Sequence, residues 1–497
     1  MIRPLQNAAW VSLCIIALIV PSALAQQEPE QPQQSQQPSQ QQSPDQPSGP
    51  IPAYRSPLAS AAGNDQDEDE PQELAPDNHS LSGAQYFSLG IPTTRSYWQP
   101  HFDVSASADS NALETANSPG WGAWTSVSGG IDVHRTSGSN DMTLSYTSGG
   151  MFSNYTGVSN GIVQGLNFAD RFAFRRSSLS FIDSLSYLPE SSFGFGGLGG
   201  AGLPGGGLSG LGSGFTPGQS ILTGQGQNLG NSFATELDTF LTPRASLTFV
   251  GGYSSLHYFD SDLLNFRDFS FRGGYNYQMT REDTIAVLYT FSGFRYSNFN
   301  QSIDDHTVQV SYGRRVTGHL AFQVAAGPQV LVSRVPVTGN TGSAGGGVGT
   351  GSNFTQLYWS LNTALQWQAG RTPLGLAFSH NVTGGSGVFA GAITDTITGS
   401  ASRQVSRAFS DGLDFGFARN TGLAVTNVKP TNQTYDYWFV GASLSHPVGR
   451  TMGLTFSYQM QYQDSNSTFC TGPTCGTSVI RHMVSFGLGW HERPLAF

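Results

Sequence analysis

The sequence predicts an all-β fold: a transmembrane antiparallel up-and-down β-barrel of about 16 to 18 strands behind a disordered N-terminal extension. Three observations predict it. Charged residues make up only 11% of the 497 residues while glycine reaches 62, too little charge for the surface of a soluble protein. From Tyr97 onward, apolar and polar residues alternate with a period of two. Finally, short turns and long Gly/Asn/Ser-rich loops take turns in joining the alternating runs.

Met1 to Ala25 reads as a secretory signal peptide, with Arg3 at its positive end, Val11 to Val20 as the apolar core and Ala23-Leu24-Ala25 as the small-residue cleavage site. Cys14 lies inside that core and leaves with it. Residues 26–94 form a Gln/Pro/Ser-rich acidic segment, dominated by Gln, Pro and Ser to about Asp77 and carrying the acidic run Asp65 to Glu70. Such a composition buries no core and predicts a disordered periplasmic tether. Residues 95–497 carry the barrel. No run of about eighteen apolar residues follows the N-terminus, which disfavours helical membrane spans.

The alternation is plainest from Phe354 to Asn381. Leu357, Trp359, Leu361, Leu365 and Trp367 share one parity, and Gln356, Ser360, Asn362, Gln366 and Gln368 the other. Gly370 to Pro373 makes a turn, after which Leu374, Leu376 and Phe378 resume the pattern, so the unit is a long hairpin. Short turns recur at Thr136 to Asn140, Arg175 to Ser177, Thr242 to Arg244 and Pro447 to Arg450. Between them fall long loops such as Leu188 to Asn231, Pro336 to Asn353 and Asp464 to Thr477. A soluble sandwich would alternate too, but with a charged outer face rather than amides, hydroxyls and glycines.

These residues resemble Gram-negative outer-membrane β-barrels of the porin type, over roughly Tyr97 to Phe497 together with the signal peptide. In that class a chain often ends in Phe after alternating apolar residues, a signal for the barrel-assembly machinery. This chain ends in Phe497 but departs from the pattern at Arg493 and Pro494, so the signal falls either there or on the strand ending at Trp490. The resemblance implies short turns in the periplasm, long loops outside and location in the cell outer membrane. It also implies outer-membrane lipid as a partner.

A barrel this wide leaves an aqueous channel. The expected function is passive diffusion of small hydrophilic solutes. The alternative is a structural or adhesive surface barrel with a plugged lumen and partner-binding loops. Candidate pore-lining residues are Arg171, Arg175, Glu236, Asp238, Arg272, Gln309, Gln323, Asn362, Gln366, Gln459 and Gln461. Amides and hydroxyls outnumber charges among them, which suggests a weakly selective pore for neutral or mixed solutes. The glycine-rich stretch Phe193 to Phe215 has no phosphate-loop context, and two readings stay open: an exposed loop, or a constriction folded into the barrel.

Asp170 and Asp183 fall on the apolar parity. A bulge turning them inward is the expectation, with an oligomer contact as the alternative and a second copy of the chain thus among the partners to test. His380 is the ionisable break in the hairpin's lipid face; with no serine paired to it by spacing, no catalytic residues are assigned and the chain is not read as an enzyme. Asp260 with Asp262, and Asp304 with Asp305, lack a metal-ligand spacing. No cofactor is expected. Lys429 is the only lysine and the net charge is -10, which disfavours nucleic acid as a partner. Cys470 and Cys475 are expected to close a small disulfide loop in an oxidising compartment.

Overall fold

The computed structural model describes residues 96–111, 120–154, 160–188, 227–259, 264–297, 301–335, 352–370, 372–384, 390–406, 408–423, 434–465 and 478–496. The chain divides into residues 1–50 and 51–497, and every described residue belongs to the second unit. The signal peptide, the Gln/Pro/Ser-rich segment, the glycine-rich stretch and the Cys470–Cys475 loop lie outside the described residues.

In chain order the strands are β1 (Tyr97–Asp109), β2 (Gly122–Ser137), β3 (Asn140–Ser153), β4 (Gly161–Ala173), β5 (Ser177–Leu188), β6 (Asn228–Thr242), β7 (Ala245–Tyr258), β8 (Phe266–Gln278) and β9 (Asp283–Tyr296). They continue as β10 (Ser302–Thr317), β11 (Leu320–Val335), β12 (Ser352–Ala369), β13 (Thr372–Thr383), β14 (Ala392–Gln404), β15 (Ser410–Gly422), β16 (Thr434–Val448), β17 (Met452–Ser465), β18 (Ser478–His491) and the two-residue β19 (Leu495–Ala496). Each of the first seventeen pairs antiparallel with the next, and β18 returns to β1 with His101 opposite His491 and Asp109 opposite Met483. Eighteen strands therefore close into a barrel, the upper end of the expected range. After an interruption at 492–494, where Pro494 lacks a donor, β19 rejoins β1 at Tyr97 and Trp98.

The connections sort by length as the sequence indicates. Tight turns join β2 to β3, β12 to β13 and β16 to β17, with Gly138, Gly370 and Gly449 at positive φ. The one between β14 and β15, where the sequence alone suggests a short turn at Phe409 to Asp411, is longer, because β14 stops at Gln404 and β15 starts at Ser410. The opposite rim carries every long connection, including 188–228 and 335–352.

Period two becomes two faces. Phe269, Phe271, Tyr275 and Tyr277 of β8 are exposed, whereas Asp268 and Asn276 of the other parity are buried. On β17, Phe456 and Tyr458 are exposed and Ser457, Gln459, Gln461 and Gln463 are buried. The wall is thus apolar outside and polar inside, the reverse of a soluble sheet protein.

One place in the wall depends on a missing side chain. A Cβ on Gly327 of β11 would stand 1.8 Å from the Val308 carbonyl oxygen of β10. Pro328 beside it lacks a donor, and the paired register skips Val308 and Gln309 there. Backbone cannot yield as a side chain tip would, so Gly327→Val should separate β10 from β11. The expected result is loss of the folded, heat-modifiable band on unboiled gels, while Ala326→Val on the exposed outward parity keeps it.

The expected inward bulge at Asp170 and Asp183 is not there. Register runs unbroken from β3 through β6, so both carboxylates stay on the outward parity. An amide from the neighbouring strand satisfies each instead: Asn140 Nδ2 donates to Asp170 at 2.5 Å and Asn231 Nδ2 to Asp183 at 2.9 Å. A hydrogen-bonded carboxylate can stay on such a face without a distorted backbone.

Candidate functional site

The inward face is the candidate site, and pairing places the sequence-selected residues on it. Arg171 of β4 lies opposite Ser180 of β5, which lies opposite Glu236 of β6, so a base and an acid share one inward row. Two residues on, Asp238 accepts from the Thr248 hydroxyl of β7, which itself accepts from Asn276 Nδ2 at 3.1 Å. Arg272 Nε donates to Thr290 at 3.1 Å. Gln309 reaches over β11, at the level of Gly327, to donate to Ser360 of β12 at 3.0 Å. Gln323 donates to Ser311, and Asn362 accepts from Asn381 at 2.8 Å. Gln459 and Gln461 are buried on β17, whereas Gln366 is exposed near the short-turn rim. Arg175 is exposed in the turn between β4 and β5, not on the wall.

Sequence reading missed several inward groups. Asp103 and Asp109 alternate with Phe102 and Val104 on β1, and the same alternation that marked the hairpin would have found them. Asp109 is paired with Arg481 of β18, and the Arg481 guanidinium lies 5.3 Å from the Trp124 ring centre. Asp268 and Asp305 are also buried inward. Asp304 and Asp305, adjacent in sequence, point to opposite faces: Asp305 takes Gln329 and Thr307 inside, and Asp304 takes Arg295 and Arg334 outside. They therefore cannot share an ion.

Burial is graded along the wall. On β12 the inward series runs from buried Ser360 through half-buried Asn362 and Ala364 to exposed Gln366. On β15, Asn420, Ala418 and Gly416 are buried and Asp414 is exposed. The interior is tight at the long-loop rim and open to solvent at the short-turn rim of these strands.

The tight end has a structural cause. β12 pairs with β13 only as far as Leu361 opposite His380, so the last residues of β13 pair with β14 alone. The freed hairpin end reaches the inward side of β9 to β11. Tyr296 donates its hydroxyl to the Gly384 carbonyl at 2.6 Å, and the Val382 amide donates to Gln329 Oε1 at 3.4 Å. Gly391, at φ 87, donates back to Gly384 and accepts from the Leu423 amide at 3.2 Å. A Cβ there would stand 2.6 Å from Ile303 and 2.7 Å from Leu423. Val382, Ile303, Leu423, Tyr296, Phe294 and Leu331 belong to one buried apolar cluster around it. Tyr435, Tyr437 and Phe439 of β16 fill a second cluster with Ala392 and Ala418.

This inward end of the β13–β14 hairpin fills part of the interior among the described residues, whereas the glycine-rich candidate lies outside them. No periodicity signals it, because Val382 continues the outward parity of the strand; the cue is the mismatch between an eighteen-residue β12 and a twelve-residue β13. On the outer face of the same hairpin, His380 stacks on Trp359 with ring centres 3.9 Å apart, and its Nδ1 lies 2.5 Å from Asp395. Among the described residues no serine bonds His380, and no cluster of three or more metal-ligating side chains occurs.

No protein-family model and no curated protein matches the chain. Among solved structures it is similar to the outer membrane protein OpdK of Pseudomonas aeruginosa at 10% identity, covering 80% of this chain and 98% of that one, with a TM-score of 0.38. OccK8 (OprE) of the same organism gives 11% identity over 80% and 98%, TM-score 0.39. OccK2 (OpdF), solved in complex with glucuronate, gives 9% over 81% and 98%, also at 0.39. Overlaps this loose carry no argument about this chain, whose fold rests on its own strand pairing.

Proposed function

We propose that the chain is an outer-membrane channel through which small hydrophilic solutes diffuse passively. One observation carries the reading: a closed wall of eighteen strands turns exposed aromatic and aliphatic side chains outward and amides, hydroxyls and carboxylates inward. Apolar residues outside stand in lipid, and polar residues inside hold water. In this reading the short turns face the periplasm and the long loops the exterior, the signal peptide is removed, and residues 26–94 remain periplasmic. Assembly into the membrane would use the barrel-assembly machinery. Purified protein in planar bilayers should give steady conductance in KCl; its absence, with the barrel intact, overturns the channel reading.

The apolar cluster at the long-loop rim favours a second reading, a barrel plugged there whose loops bind a partner. A protein that conducts only after the hairpin end is displaced would fit that reading.

Inward acids set the selectivity in this proposal. Asp103, Asp132, Glu236, Asp238, Asp268 and Asp305 share the inward parity with fewer bases, among them Arg171 and Arg272. Where ionised carboxylates outnumber guanidinium groups in a lumen, the excess attracts cations. The weak selectivity read from the sequence is therefore sharpened to a cation preference. Under a KCl gradient, Glu236→Gln with Asp238→Asn should move the reversal potential toward zero, and Gln459→Ala should not.

A further inference from the structure

The outward face at the long-loop rim carries two unlike sets of charges, and the difference points to a ligand. On β13 to β16, His380 lies opposite Asp395, Asp395 opposite Arg419, and Arg419 opposite Asp436. Signs alternate along this row, and Arg419 makes two 2.7 Å bonds to the Asp436 carboxylate. Such a row satisfies itself.

On β8 to β11 the row does not. Arg267 lies directly opposite Arg295, Ser302 lies opposite Arg295 on one side and Arg334 on the other, so three guanidinium groups stand at one level of three strands. All have the parity of the exposed outward residues Phe269, Tyr289, Val308 and Val324. Among the described residues one carboxylate serves two of them. Asp304 Oδ1 lies 2.7 Å from Arg295 and Oδ2 2.9 Å from Arg334, two residues nearer the middle of the wall. Arg295 is fixed further by donating to the Phe294 and Ile303 carbonyls at 2.9 and 3.2 Å, its guanidinium lying over Gly293. Arg267 is exposed and bonds no described residue. Like charges directly opposite each other are destabilising, and among the described residues three cations against one anion leave a surplus.

The two acceptors of Asp304 occupy the inner edges of Arg295 and Arg334, whose side chains stay 43% and 54% exposed. Beneath the row, Phe269, Phe271, Tyr289 and Phe291 share the outward parity as an aromatic shelf, and aromatic side chains are enriched where a membrane meets water. Guanidinium forks pair with phosphate oxygens through two parallel bonds.

We propose that Arg267, Arg295 and Arg334 hold the phosphate of an anionic lipid headgroup in the outer leaflet, its acyl chains lying down the aromatic shelf. This rests on the outward face meeting lipid, not on the lumen conducting.

The test is native mass spectrometry of the detergent-solubilised full chain with phosphatidic acid, phosphatidylcholine or inorganic phosphate as probe. Phosphatidic acid should be retained over phosphatidylcholine, and Arg267→Gln with Arg334→Gln should weaken that retention about tenfold or more. Arg267→Gln alone disturbs no described bond, so it remains informative if the double variant fails to fold, and should itself weaken retention. Arg419→Gln, on the self-paired row, should leave retention unchanged. Equal retention by wild type and Arg267→Gln overturns the proposal, and so does displacement by inorganic phosphate at matched concentration, which would make the site one for soluble anions. A protein that retains phosphatidic acid through these arginines without conducting loses the channel reading and keeps this one.

Discussion

Replacing Gly391 with valine is expected to raise single-channel conductance about twofold or more, because it removes the packing that holds the β13–β14 hairpin end inside the barrel. Two independent costs fall on one position. The φ of 87 suits glycine and strains a β-branched residue, and the new side chain collides with Ile303 and Leu423. Neither cost exists if the hairpin end swings out. Planar-bilayer recordings check it, with Tyr296→Phe as a milder partner that loses only the bond to the Gly384 carbonyl. Conductance unchanged in both would mean the hairpin end does not limit flow. Deleting Gly194 to Gly214 tests the glycine-rich candidate separately, on a different connection: conductance should rise if that stretch constricts the barrel, and an unchanged value removes the idea.

Asp109→Asn should be the most destabilising of the conservative changes on the inward face. Asp109 and Arg481 are both buried where β1 meets β18, and removing one charge leaves the other without its counter-ion. Breaking a buried pair from one side costs about 3–5 kcal/mol, whereas replacing both partners with apolar residues costs far less. The urea midpoint of the detergent-refolded barrel should fall in Asp109→Asn, and the Asp109→Leu, Arg481→Met double variant should recover much of the loss. A double variant destabilised by as much as the Asp109→Leu and Arg481→Met singles added together would show that the pair itself contributes little.

The parts of this molecule legible in sequence are those written with period two. The hairpin from Phe354 to Asn381 announces its faces because alternate residues meet opposite solvents, and the connection lengths announce which rim they lie on. The inward hairpin end was illegible for the same reason. Val382 continues the outward parity, yet it packs inside, because a strand released from one neighbour no longer obeys the wall's parity. Asp170 and Asp183 misled in the opposite sense: a backbone distortion was expected where a neighbouring asparagine sufficed. Arg267, Arg295 and Arg334 are far apart in sequence and become a row only through register.

The seam between β1 and β18 has a meaning for biosynthesis. The first and last long strands described supply its two sides, so the buried pair of Asp109 with Arg481 forms only when residues 372 apart in the chain have both been delivered. A product lacking β1 or β18 would keep two bare strand edges, the feature that invites aggregation and proteolysis. Closure of the wall is thus the last pairing available to the chain, since each side of the seam is the partner that the other strand lacks until both are in place.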